Sequence, residues 1–284
     1  MSRCLALIGF RSKWALYRLP MKLPLTAGQI VAAFSSGALV GALGGLIGLG
    51  GAEFRLPILI SLFGFEALPA VILNKAMSLI VVASALPFRA GTVPFEVVAA
   101  HWPIIVNLLA GSLAGAWIGA SWATRLSSRT LYRVIAVLLV VIAFVLLFAH
   151  DRSASPLLVG GAPQILLGVV AGFGIGIVAA LLGVAGGELL IPTLILLFGT
   201  DVKLAGSLSL AVSLPTMLAG FARYSRDRSF AVINQNAAFA IVMAAGSIVG
   251  TFMGGRLLGI VPSVVLLPLL TVILIVSAVK VWRH

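Results

Sequence analysis

Residues 48–57 read GLGGAEFRLP, and residues 183–192 read GVAGGELLIP. Clustered glycines end a helix, and a proline five or six positions on suits the first turn of the next one. Each stretch leads into an uncharged run too short to cross a bilayer, residues 56–65 and 189–200, about 15–18 Å long as helix. The chain is therefore expected to break twice inside apolar territory, with a half-helix after each break. If these breaks lie at membrane depth, the unpaired N–H groups and positive dipole end of each half-helix can hold an anion. Irregular backbone survives at that depth only where protein buries it or it lines a cavity. The competing reading is a surface loop with Glu53 and Arg55 at the water interface.

The composition favours depth. Hydrophobic residues make up 61% of the 284-residue chain and charged residues only 9%, with a mean hydropathy of +1.21. A soluble domain needs about 25% charged residues to face water, so this chain belongs in a membrane. Its net charge of +12 would suggest a nucleic-acid partner in a soluble protein. Here, however, five of the 19 basic residues (Arg3, Arg11, Lys13, Arg18 and Lys22) precede residue 23, and the rest fall mostly in short loops. That pattern reports membrane orientation. The single cysteine, Cys4, excludes a disulfide framework or thiolate metal site within one chain. The three histidines, His101, His150 and His284, are far apart in sequence, which argues against a histidine metal centre. No cofactor is expected.

The uncharged runs predict an all-α polytopic membrane protein of about eight crossing helices plus the two half-helices, given that a crossing needs about 20 apolar residues. Segment 67–88 joins the eight if Lys75 is accepted inside it. Residues 1–26 read as a basic lead-in without a cleavage site. Either they lie on the membrane surface, or the true start is Met21, where MKLPLTAGQIV is already a basic-then-apolar opening.

Shifting the chain by 135 residues aligns 48–79 with 183–214 at 14 identities in 32 positions. The matches include Gly51 with Gly186, Glu53 with Glu188, Pro57 with Pro192 and Ser78 with Ser213. Residues 27–150 and 151–284 thus read as two copies of one membrane unit. Transporters built this way place the substrate where the copies meet, and their precedent favours inverted over parallel copies. The loop charges scarcely separate the two arrangements.

Glycines spaced by four (Gly37, Gly41 and Gly45; Gly111, Gly115 and Gly119; Gly246, Gly250 and Gly254) make flat stripes on which a second helix packs closely. They read as seams. The candidate substrate residues are Gly50, Gly51, Gly186 and Gly187 at the breaks, with Asn74, Lys75 and Ser78 opposite Ser207, Ser209 and Ser213. A lysine in mid-membrane costs about 2.5–3.5 kcal/mol on insertion scales, so it needs a polar cavity or a partner. Glu53 and Glu66 are the acids on offer for a purely structural ion pair. Glu53 and Glu188 suit a helix N-terminus structurally, but a carboxyl that takes up a proton with the anion would also couple transport to protons. His101, which matches Asn236 in the second copy, reads as a packed polar residue. Arg223, Arg226 and Arg228 read as orientation charges, and Arg89 fits either a cavity mouth or a helix end.

Taken together, the doubled Gly-x-x-x-Gly-rich first helix, the G-x-G-G-x-E-x-x-x-P break with its short apolar helix, Ala205-Gly206-Ser207-Leu208 and the closing glycine rows resemble the sulfite exporter TauE/SafE family, also grouped with toluene-sulfonate uptake permeases. The likeness covers roughly residues 27–282. It implies a bacterial inner-membrane transporter of about eight helices for small sulfur-containing or carboxylate anions, often driven by a proton gradient. Ala52 and Ala185 interrupt the run of three glycines frequent in the family, and Val71-Ile72-Leu73-Asn74-Lys75 replaces the small turn in the first copy.

The function expected is that of a multi-pass secondary transporter of a small sulfur or organic oxyanion, proton-coupled, with the bilayer and the anion as its partners. A membrane-embedded enzyme on a lipid or quinone would need a catalytic cluster beyond the symmetric Glu53 and Glu188. A passive channel would need no coupling carboxylates. No nucleotide-binding motif is present, so this chain does not use ATP.

Overall fold

The computed structural model describes residues 26–47, 51–89, 93–149, 160–257 and 263–283. These residues are helical throughout, without a strand among them, as lipid demands of segments that must satisfy their own backbone. The helices are α1 (Ala27–Ile47), α2 (Ala52–Ser61), α3 (Ala67–Arg89), α4 (Phe95–Ala100), α5 (Trp102–Ala123), α6 (Ser128–Ala149), α7 (Ala162–Leu182), α8 (Gly187–Phe198), α9 (Val202–Tyr224), α10 (Ala231–Gln235), α11 (Ala237–Leu257) and α12 (Ser263–Trp282). Five of them (α3, α5, α7, α9 and α11) are long and apolar enough over described residues to cross a bilayer. The apolar segments Ala27–Leu43, Gly187–Phe198 and Thr271–Trp282 are shorter. Large apolar side chains such as Leu166, Ile241 and Val276 are exposed, which suits acyl chains around a bundle and not water. The lead-in and Gly50 lie outside the described residues.

Local chemistry sets the boundaries. Gly51 (φ 70°) and Gly186 (φ 83°) precede α2 and α8 in the left-handed conformation, and Gly183 (φ 67°) ends α7 the same way. Only glycine adopts that backbone without strain. Asp201 caps α9, its carboxylate accepting from the backbone N–H groups of Lys203 (2.9 Å) and Leu204 (3.1 Å). The prolines depart from expectation. Pro57 and Pro192 are the sixth residues of their half-helices, in the second turn and not the first.

The glycine stripes are seams, as expected. On α11, Gly246, Gly250 and Gly254 lie against Phe34, Ala38 and Ala42 of α1, while Gly37 and Gly41 of α1 lie against Met243 and Ser247. Gly111, Gly115 and Gly119 of α5 likewise meet Val169, Phe173 and Ile177 of α7. Residue numbers rise together across both seams, so each pair runs in one direction. Helix α9 runs with α5, since Ser112 meets Thr216 and Ser121 meets Arg223. Helix α8 turns back along α7: Gly186 sits beside Ile175 and Ala179, and Gln164 donates to the carbonyl of Leu197 at 2.7 Å. The second break therefore lies partway along a spanning helix, and Gly51 sits similarly against Val40 of α1. The described residues of the breaks, 51–53 and 183–188, are buried, as is Arg55, which removes the surface-loop reading.

A shift of 135 carries α1 onto α7 and α3 onto α9 with identical boundaries. Helices α3 and α9 run in opposite directions: the Lys75 side chain reaches Gly220, while Leu79, Val82 and Ala85 cluster with Leu210, Leu214 and Met217.

Candidate functional site

Glu53 and Glu188 occupy the second positions of α2 and α8, and both are buried. The two carboxyl groups are near enough to interact electrostatically. None of the four oxygens has a hydrogen-bond partner. Each half-helix proline stands four residues after its glutamate, so it cannot donate to that glutamate's backbone carbonyl. The two breaks thus bring together a facing pair of carboxyl groups and two helix N-termini.

Arg55, one helical turn into α2, is fully buried. From Nη1 it donates to Asn74 Oδ1 (3.4 Å) and Ser78 Oγ (3.1 Å), and from Nη2 to Ser247 Oγ (3.1 Å) on α11. Its Nε is buried without an acceptor. A buried unpaired donor costs about 1–3 kcal/mol, more where the group is charged. Sequence reasoning places Arg55 only at the water interface, in the surface-loop reading of the break, and not in the site. A signal was present: if Glu53 is buried at the break, an arginine two residues later on the same short helix is buried as well.

Lys75 is also fully buried, but neither Glu53 nor Glu66 pairs with it. Its Nζ donates to the carbonyl of Ala179 at 3.1 Å. Asn74 Nδ2 donates to the carbonyls of Leu182 and Ala52, each at 3.0 Å, and the Tyr224 hydroxyl donates to the carbonyl of Ala180 at 2.9 Å. The last turn of any helix leaves its carbonyls unpaired. In α7 the backbone N–H groups of Val184 and Gly183 already reach the carbonyls of Ala179 and Ala180; Lys75 and Tyr224 add second donors there, and Asn74 supplies the donor to Leu182.

The serines of α9 divide. Ser207 and Ser209 donate into their own helix, to the carbonyls of Lys203 (3.4 Å) and Gly206 (2.8 Å). The Ser213 hydroxyl, at the position matching Ser78, is buried without a partner. Gly51 and Gly186 shape the breaks through their backbone, and Gly187 is the buried first residue of α8. Ser247 matches Ser112, whose hydroxyl bonds Thr216 at 2.7 Å. His101 bonds the carbonyl of Val97 at 2.8 Å in its own helical turn, and Asn236 does the same with Val232 at 3.0 Å. Arg223 bonds Ser121 Oγ at 2.7 Å and Arg226 lies 5.0 Å over Trp117, both near helix ends.

The profile of the family described as sulfite exporter TauE/SafE matches residues 32–281. The chain belongs to that family. TauE/SafE proteins are membrane transporters that export sulfur anions, and not enzymes, so this TauE/SafE protein is a multi-pass membrane transporter. Among curated proteins and among solved structures, none matches it.

Proposed function

We propose that this TauE/SafE protein moves a small sulfur-containing or organic oxyanion across a bacterial cytoplasmic membrane, coupled to protons. The observation that carries the reading is the meeting of two half-helix N-termini, each bearing a buried carboxyl, beside a buried cation. The dipole ends and backbone N–H groups at Gly51, Gly186 and Gly187 attract the anion. Asn74 and Ser78, with Ser213 from the second copy, provide hydrogen-bonding groups around it. Glu53 and Glu188 carry the proton. Ionised, they repel the anion; sharing a proton, they admit it.

The reading includes an internal duplication of inverted topology, giving eight crossing helices and two re-entrant half-helices. Elements at identical offsets and the antiparallel course of α3 and α9 support it, because a two-fold axis that reverses a crossing helix lies in the membrane plane. Leu79 with Leu214, and Val82 with Met217, are offset-matched pairs within one cluster, where that axis would pass. Alternating access follows from the two copies rocking about the breaks.

The test is flux through the purified protein in proteoliposomes, using sulfite, thiosulfate, sulfoacetate and acetate, with and without a pH gradient. Saturable movement of one of the sulfur anions, stimulated by the gradient, supports the reading. Non-saturating conductance would make the protein a channel instead.

A further inference from the structure

We propose that Arg55, through the Nε–Nη2 edge of its guanidinium, is the residue that recognises the oxyanion, and that Lys75 is a structural cap. This deepens the transport reading and rests on it. A guanidinium has five N–H donors in a rigid fork. In Arg55 both Nη1 donors are used, by Asn74 and Ser78, and one Nη2 donor by Ser247. Nε–H and one Nη2–H share the edge that grips two oxygens of a carboxylate, sulfite or sulfonate at once, and the Nε donor of that edge is buried and unpaired. All three partners of Arg55 are neutral, so its charge is oriented but not cancelled. Its nearest acid, Glu53, is engaged with Glu188.

Lys75 lacks these features. Its bond to the Ala179 carbonyl places its charge at the C-terminal end of α7, the end that favours a cation. There it acts beside Asn74 and Tyr224.

The second copy has no equivalent seat. Leu190 replaces Arg55 and packs in an apolar cluster, and Ser112 bonds Thr216 where Ser247 receives the guanidinium. The recognition site is therefore single and belongs to α2, α3 and α11. The ligand class is a small anion with two oxygens on one centre, which the two donors of that edge can bind together. Arg55 is fully buried in this conformation, so the anion reaches it only as the copies move apart.

The experiment is sulfite flux in proteoliposomes of the full chain, measuring KM and kcat for wild type, R55K, R55Q, S247A and K75M, with monodispersity and thermal melting as folding controls. R55K keeps the charge and loses the fork, so its sulfite KM should rise at least 10-fold, and R55Q should be worse. S247A, which frees the guanidinium from one tether, should raise KM about three-fold with kcat nearly unchanged. K75M should melt at a different temperature but keep KM within two-fold. If R55K matches wild type, or if K75M raises KM as much as R55K, the assignment is overturned while transport stands. Should both Arg55 variants fail to fold, an unaltered KM in S247A overturns it instead. If folded wild type moves no oxyanion, the transport reading and the assignment fall together.

Discussion

Lys75 on α3 donates from Nζ to the backbone carbonyl of Ala179 on α7, 3.1 Å away and 104 residues along the chain. A cation in mid-membrane is thereby spent on a helix end. With Asn74 and Tyr224, it adds side-chain donors to the last turn of α7, where Val184 and Gly183 already supply backbone N–H groups to Ala179 and Ala180.

That capping arrangement can be measured. Tyr224→Phe removes one donor from the Ala180 carbonyl and should cost about 1 kcal/mol. Asn74→Ala strands the carbonyl of Leu182, removes a second donor from that of Ala52 and takes one acceptor from Arg55, so about 2 kcal/mol is expected. Unfolding in detergent should rank wild type above Tyr224→Phe and Tyr224→Phe above Asn74→Ala.

The seams predict sharp position dependence. A Cβ at Gly115 would collide with the carbonyl of Phe173, and one at Gly250 with that of Ala38. Backbone cannot yield as a side chain does, so Gly115→Ala and Gly250→Ala should prevent recovery of monodisperse protein. Gly174 lies between the seam positions of α7 with nothing within 4 Å of its Cβ site. Gly174→Ala should fold normally and gain up to about 1 kcal/mol in helix propensity.

Glu66, at the junction of α2 and α3, gives a pH prediction. Partial burial pushes its carboxyl up from the ordinary range. The folded chain then holds this proton more tightly than the unfolded chain, so the group lowers stability as pH rises through that range. Glu66→Gln should melt above wild type at pH 7, and the difference should vanish below about pH 4, where both states are protonated. An equal difference at both pH values would contradict this.

Inverted copies place the starts of α1 and α7 on opposite faces of the membrane. With Cys4 replaced, Gly28→Cys and Gly160→Cys, both at open positions, should react with a membrane-impermeant maleimide from opposite sides. Labelling of both from one side would make the copies parallel.

Much of this architecture is legible in the residues. A Gly-x-Glu break announces itself twice, at 51–53 and 186–188, and the spacing of 135 equals the spacing of α1 and α7. The glycine rows mark the seams because in lipid nothing else brings backbones so close. What was not legible depends on partners that sequence does not name. Lys75 was matched with acids, yet its partner is a peptide carbonyl. Ser207 and Ser209 have the right chemistry for an anion, but hydroxyls on a helix readily turn to their own backbone. Arg55 reads equally well at the water interface, and only its burial with Asn74, Ser78 and Ser247 places it inside. Pro57 and Pro192 sit a turn later than helix-start preferences suggest, since the left-handed glycine before each half-helix already sets its beginning.

The central claim is that Glu53 and Glu188 carry a proton with the anion. The most direct measurement is sulfite-driven proton movement, followed with a pH-sensitive dye in proteoliposomes without any imposed gradient. Wild type should acidify or alkalinise the lumen in proportion to sulfite moved, and Glu53→Gln with Glu188→Gln should move sulfite without moving protons. Sulfite-linked proton movement that persists in the double variant would contradict the account.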